Sequence, residues 1–156
     1  MVNLKIILCP TDFSELSAYA LEYARSLAET YGAKLHLLHV VDEAYQYWMG
    51  MSPEGIAIGP PPEEILAASR NSMTRFVESQ WGVAPDYLYT EVRLGRPFVD
   101  IIRYARDIGA DLIVLGTHGR SGLSHVLLGS VTEKVVRKSP CPVLTVRPPS
   151  QSFEIP

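Results

Sequence analysis

The stretch Asp111-Leu112-Ile113-Val114-Leu115-Gly116-Thr117-His118-Gly119 decides the fold. Four apolar residues in succession, with no polar residue alternating between them, form the pattern of a short strand covered on both faces. Three further runs of strand length, at residues 4–9, 35–41 and 143–146, are likewise rich in Val, Ile and Leu and show little strict alternation. A fifth, at 87–93, alternates Leu88, Thr90 and Val92 with Tyr87, Tyr89, Glu91 and Arg93, and reads as an edge strand. Helical segments with good punctuation separate these runs. One opens at Ser14 and stops at Gly32; one spans about 62–81 before Gly82; one starts with Pro97, gathers Ile101, Ile102, Ala105 and Ile108, and ends at Gly109; one covers 130–138 before Pro140.

Strict alternation of strand and helix implies a parallel sheet with right-handed crossovers. The expected fold is therefore α/β: a single open five-stranded parallel sheet with helices on both faces, with the flavodoxin-like order 3-2-1-4-5 as the expected strand order. No internal repeat or domain boundary interrupts it. One domain over residues 1–147 and a flexible tail at 148–156 are expected. Residues 42–61 fall outside the rhythm; they combine Gly50, Gly55 and Gly59 with Tyr45, Tyr47, Trp48, Met49, Met51, Ile56 and Ile58. A connection of this length is a lid, a contact surface or a disordered segment.

Composition narrows the function. With 156 residues, 47% hydrophobic and 20% charged, the chain is neither disordered nor fibrous. A net charge of −3 argues against a surface built to neutralise nucleic-acid phosphates. The apolar runs are far shorter than the roughly 20 residues of a membrane-spanning helix, and no secretory leader is visible, so a cytoplasmic protein that contacts neither membrane nor nucleic acid is expected. Cys9 and Cys141 cannot build a disulfide framework or a four-thiolate site, and their places in the strand order set them too far apart for a bridge.

In open α/β sheets ligands bind beyond the carboxyl ends of the strands, where strand order reverses. The relevant loops begin at Pro10-Thr11-Asp12, at Val41-Asp42, at Gly116-Thr117-His118-Gly119 and after Val146. Glycine-rich backbone forms anion-binding concavities, and Gly129-Ser130 stands where a helix begins and offers unsatisfied N–H groups. Ser130-Val131-Thr132-Glu133 also fits a capping box that needs no ligand. None of the standard nucleotide fingerprints is present: there is no G-x-G-x-x-G and no Gly-Lys-Ser/Thr.

The spacing of Gly116-Thr117-His118-Gly119, nine residues, then Gly129-Ser130 resembles the nucleotide-binding motif of the universal stress protein family. Pro10-Thr11-Asp12-Phe13-Ser14, the run at 37–41, the approach at 111–116 and Ser139-Pro140-Cys141-Pro142-Val143-Leu144 are similar to that family as well, over about residues 3–147 and on the ATP-binding branch. The resemblance implies that Asp12 meets the ribose hydroxyls, with Pro10 and Thr11 shaping the turn. It implies that Val40 or Val41 meets adenine, and that Gly116, Thr117, Gly119, Arg120, Gly129, Ser130, Val131 and Thr132 surround the phosphates. It further implies ATP, with Mg or Mn where a metal takes part, and a homodimer through strand 143–146. Nothing carries over onto 42–61.

Other groups read as structural. His36 and His39 lie three apart on a strand and point to opposite faces, which forbids shared ligation of a metal. His118 either orients phosphate or holds its turn. No Ser-His-acid constellation stands in a nucleophile elbow. The leading expectation is an ATP-binding stress-response protein that acts through nucleotide occupancy on a downstream partner, with no catalytic residue assigned. A slow ATPase or phosphotransferase using the same pocket, and a flavin carrier, are the rivals.

Overall fold

Asp111 ties the start of the sheet together: its Oδ2 accepts from the amides of Lys5 and Ile6, 106 and 105 residues away in the chain, at 2.8 and 2.9 Å. The computed structural model describes residues 1–56, 58–118 and 128–148. In chain order these form β1 (Ile6–Pro10), α1 (Glu15–Tyr31), β2 (Lys34–Asp42), α2 (Glu43–Met49), α3 (Pro62–Trp81), β3 (Leu88–Gly95), α4 (Pro97–Ile108), β4 (Leu112–Gly116), α5 (Ser130–Lys138) and β5 (Val143–Val146). The strands make one five-stranded sheet in the order β3-β2-β1-β4-β5, parallel at every pairing.

Continuous apolarity in the central strands has the expected cause. Ile7 and Cys9 of β1, Leu35 and Leu37 of β2 and Val114 of β4 pack with Ala20, Leu21 and Ala24 of α1 and with Met73, Phe76 and Val77 of α3. Their neighbours Leu8, Leu38, Ile113 and Leu115 turn to the opposite face, against Ile101, Tyr104 and Ala105 of α4 and Val135 of α5. Each strand residue thus feeds one of two cores. Ser14 caps α1 by accepting from the Ser17 amide, and Gly32 and Gly109 close α1 and α4 at φ 63° and 64°, where a side chain is disfavoured. Cys9 and Cys141 are both free.

The expectation of four helices needs correction. The 42–61 segment contains α2, because Asp42 folds its side chain over the amides of Ala44 and Tyr45 at 3.1 and 3.3 Å and so starts a helix at the strand's last residue. The histidines divide as strand parity requires. His36 Nδ1 lies 2.9 Å from the Tyr104 hydroxyl on the α4 face, whereas the His39 ring lies 4.2 Å from Phe13 on the α1 face.

Candidate functional site

The turn after β1 is braced at every residue. Pro10 has no N–H, and pairing continues past it through the Thr11 amide, which donates to the Leu38 carbonyl at 2.8 Å. Ser17 donates its hydroxyl to the Ser14 carbonyl at 2.9 Å, so across the 2.9 Å contact between the two hydroxyls Thr11 donates and Ser17 accepts. The Thr11 hydroxyl oxygen in turn accepts from the Phe13 amide at 3.0 Å. That bond holds Phe13 at φ 64°, a left-handed conformation that costs of order 1–3 kcal/mol for a non-glycine residue. The Phe13 ring is wedged between His39 and Phe76, with centroids 4.2 and 5.6 Å away. Asp12 stands at the apex, its Oδ1 accepting from the amide of Ser14 at 3.0 Å and from the Ser14 hydroxyl.

The opposite wall joins β4 to α5. The Thr117 amide donates to the Val146 carbonyl at 3.0 Å, and the Thr117 carbonyl accepts from the Gly129 amide at 2.7 Å. Thr132 donates its hydroxyl to the Gly116 carbonyl at 2.9 Å, which pins the first turn of α5 to the end of β4. The capping box is not made. Gly129 is the N-cap residue and has no side chain to cap the helix with; Glu133 instead reaches Arg137 at 3.0 Å, one turn on. Among the described residues the first amides of α5 have no side-chain acceptor, an arrangement that suits an anion.

Between the walls, at the carboxyl ends of β1, β2 and β4, lies a cleft of about 190 Å³. Pro10, Thr11, Asp12, Val40, Gly116, Val131 and Thr132 line it, which brings together seven of the residues that the sequence singles out. Val41 turns to the other face of the sheet and is buried. Thr117 is buried as well and acts through its backbone, and Gly129 and Ser130 open α5. Gly119 and Arg120 lie outside the described residues, as does the tail from 149 to 156.

Leu38, Leu115, Ser17, Pro97, Ile101 and His118 complete the lining. Pro97 and Ile101 are the informative omissions. They begin the helix after the edge strand β3, outside the loops after β1, β2, β4 and β5 that the strand-end rule selects; their i,i+4 spacing on an apolar helix face is the available signal. His118 is buried, with Nδ1 3.1 Å from the Thr117 hydroxyl.

The cleft is largely apolar, and among its described lining residues only Asp12 and His118 are titratable. Cys9 lies one residue before the cleft's edge, but complete burial pushes its thiol up to about 12 and keeps it protonated. Among the described residues no cluster of three or more His, Cys, Asp or Glu side chains could hold a metal ion, and no helix is long and apolar enough to cross a membrane.

A parallel sheet of this order, with a cleft at its reversal point and the start of a helix on one wall, defines an open, doubly wound α/β protein. The family model of the Universal stress protein family matches residues 3–147, and the chain belongs to that family. Universal stress protein MJ0531 of Methanocaldococcus jannaschii is 35% identical over 149 residues, covering 94% of this chain and 84% of that protein. MJ0577 of the same organism is 31% identical over 94% of this chain and 96% of its own length, and its solved structure superposes with a TM-score of 0.76. The crystal structure of a universal stress protein in complex with cAMP superposes with a TM-score of 0.62 at 25% identity, covering 94% of this chain and 98% of that one.

Proposed function

We propose that this chain binds ATP in the cleft between the β1 turn and the start of α5, and that occupancy of the cleft, rather than turnover, is its signal. The carrying observation is the convergence on one cleft of a carboxylate at Asp12, an apolar wall at Val40 and Ile101, and a helix N-terminus whose N-cap is a glycine. A carboxylate accepts from two vicinal hydroxyls, apolar strand ends suit a base, and aimed amides suit phosphate. At about 190 Å³ the cleft is smaller than the roughly 300–1,000 Å³ that encloses a drug-sized ligand. It receives the nucleoside, and the phosphates run out along Gly116, Thr117, Gly119, Arg120, Gly129, Ser130, Val131 and Thr132. A divalent ion, Mg or Mn, would come with the phosphates, and the Ser130 hydroxyl would be a protein group able to hold it.

The existence of a relative in complex with cAMP supports an adenine nucleotide as the ligand class. In this reading the protein is a cytoplasmic stress-response component, one domain over residues 1–147, that dimerises through β5 and presents its nucleotide state to a partner. Titration calorimetry with ATP and cAMP, with mass spectrometry of any ligand released from freshly purified protein, tests the assignment. Micromolar binding of ATP is expected. Absence of adenine-nucleotide binding, or a yellow protein that releases flavin, overturns it.

A further inference from the structure

The helix α2 is built inside out. Of its seven residues none is buried; polar Gln46 is the partly covered one, while Tyr45, Tyr47, Trp48 and Met49 stand exposed, Trp48 at 78%. The segment that follows adds Ile56 and Ile58, 62% and 70% exposed. These six are clustered within 14 positions of the chain, and no packing in the fold accounts for them. Large exposed apolar patches on soluble domains mark contact surfaces, and aromatic and Met side chains are enriched in such contacts.

The platform beneath them is fixed. Gly50 and Gly59 meet back to back: a Cβ on Gly59 would lie 2.9 Å from the Gly50 Cα, so Gly59 requires the absence of a side chain, and a Cβ on Gly50 would press at 3.1 Å on the Gly59 Cα. The Gly50 carbonyl accepts from the amides of Ile58 and Gly59 at 2.6 and 3.1 Å, and Ser52 closes the inner turn by donating its amide to Ile56 at 2.8 Å. Such a surface is ordered before it meets a partner, which lowers the entropic cost of binding.

Charge selects the partner. Between Lys34 and Arg70 the sequence has no lysine or arginine but five carboxylates, Asp42, Glu43, Glu54, Glu63 and Glu64. Among the described residues none of the five is in an ion pair. Arg96 and Arg103 line an adjoining pocket with Glu43 and Asp100, outside the groove that α2 makes with Gly59, Pro60 and Ile65. A second copy would bring like charge to like charge, and an anionic lipid surface would be repelled. We infer that the α2 platform is a docking surface for a basic amphipathic segment of another protein, whose apolar side covers Trp48 and Tyr47 and whose lysines or arginines meet Glu54, Glu63 and Glu64.

A synthetic amphipathic leucine–lysine helix is the probe, read by Trp48 fluorescence in a full-length Trp81→Phe chain. Saturable binding with a blue shift is expected, weakening with added salt. A loss of about tenfold or more is expected in a Trp48→Ser chain followed by calorimetry, and in the Glu54→Lys, Glu63→Lys, Glu64→Lys chain. Glu22→Lys, on α1, leaves binding unchanged, and circular dichroism checks that all variants are folded. The inference is overturned by equal binding of a leucine–glutamate helix or equal loss in Glu22→Lys. It is also overturned by a blue shift on phosphatidylcholine vesicles but not on the peptide, or by self-association in sedimentation that Trp48→Ser abolishes.

Discussion

His39 of β2 donates Nδ1–H to the Thr11 carbonyl across 2.8 Å, since that oxygen can only accept, and so one strand props the ligand-facing turn of its neighbour. The same ring lies against Phe13, the non-glycine residue held at positive φ. Removing it strands a buried carbonyl, at about 1–3 kcal/mol, and releases the strained residue. His39→Leu is expected to lower Tm by several degrees and to weaken ATP binding more than Tm alone explains, because Asp12 loses its fixed position. Differential scanning fluorimetry with and without ATP checks it; an unchanged Tm would show that the turn holds without the ring.

Gly129 is the N-cap of α5 at φ −64° and ψ 156°, a conformation open to any residue. Valine there strains no backbone and instead places two methyls where phosphate is proposed to approach. Gly129→Val is expected to fold with near-native Tm and to lose ATP binding in calorimetry. Undiminished affinity would sink the placement of the phosphates.

The strand order, a non-local property, followed only from the flavodoxin-like pattern. The strands and the limits of α3 and α5 could be read from the sequence because they rest on local signals: apolar runs, Pro62 at a helix start, Pro140 after a helix end. Half the cleft was legible for the same reason, since Pro10, Asp12 and Gly116 sit at strand ends. Two readings failed where a side chain chose among several partners. Ser130 and Glu133 satisfy the capping-box spacing, yet Arg137 captures the glutamate. The α2 helix escaped notice because its apolar residues point to solvent, so they carry no core-facing period, and Asp42 starts it from within the last position of β2.

The pH dependence of stability is expected to reveal His36. Burial, with the Lys34 charge second, lowers its affinity for a proton in the folded chain, while the unfolded chain titrates at the ordinary value of about 6.5. The unfolded state therefore binds more protons as pH falls through that value, and the folded state loses stability on acidification. Tm measured from about pH 7.5 to 5.5 should fall in the native chain and fall less in His36→Gln. Parallel curves would remove His36 as the cause.

β5 is an edge strand, and Leu144 on it is 37% exposed. Unpaired apolar edges invite pairing unless something covers them, and a second β5 about a two-fold axis is the proposed cover. Light scattering at micromolar concentration should give a dimer, and Leu144→Lys should shift it to monomer without loss of ATP binding. A native chain that runs as a monomer counts decisively against the arrangement.

Fast phosphoryl transfer needs positive charge on the transferring group and a residue that orients the nucleophile. The described cleft supplies little of either: its lining holds no lysine or arginine, Asp12 is engaged with Ser14, and the Thr132 hydroxyl is spent on the Gly116 carbonyl. In the sequence the segment between Gly116 and Thr132 contributes Arg120 as its lone cation besides His118 and His125. A ligand held without these groups is bound but barely activated. ATP turnover is expected far below the roughly 1–10³ s⁻¹ of typical enzymes. Phosphate release is the measurement, with Gly129→Val as the control for a contaminating ATPase. Steady release above about 1 s⁻¹ that the variant abolishes would make this chain an enzyme, with turnover rather than occupancy as its output.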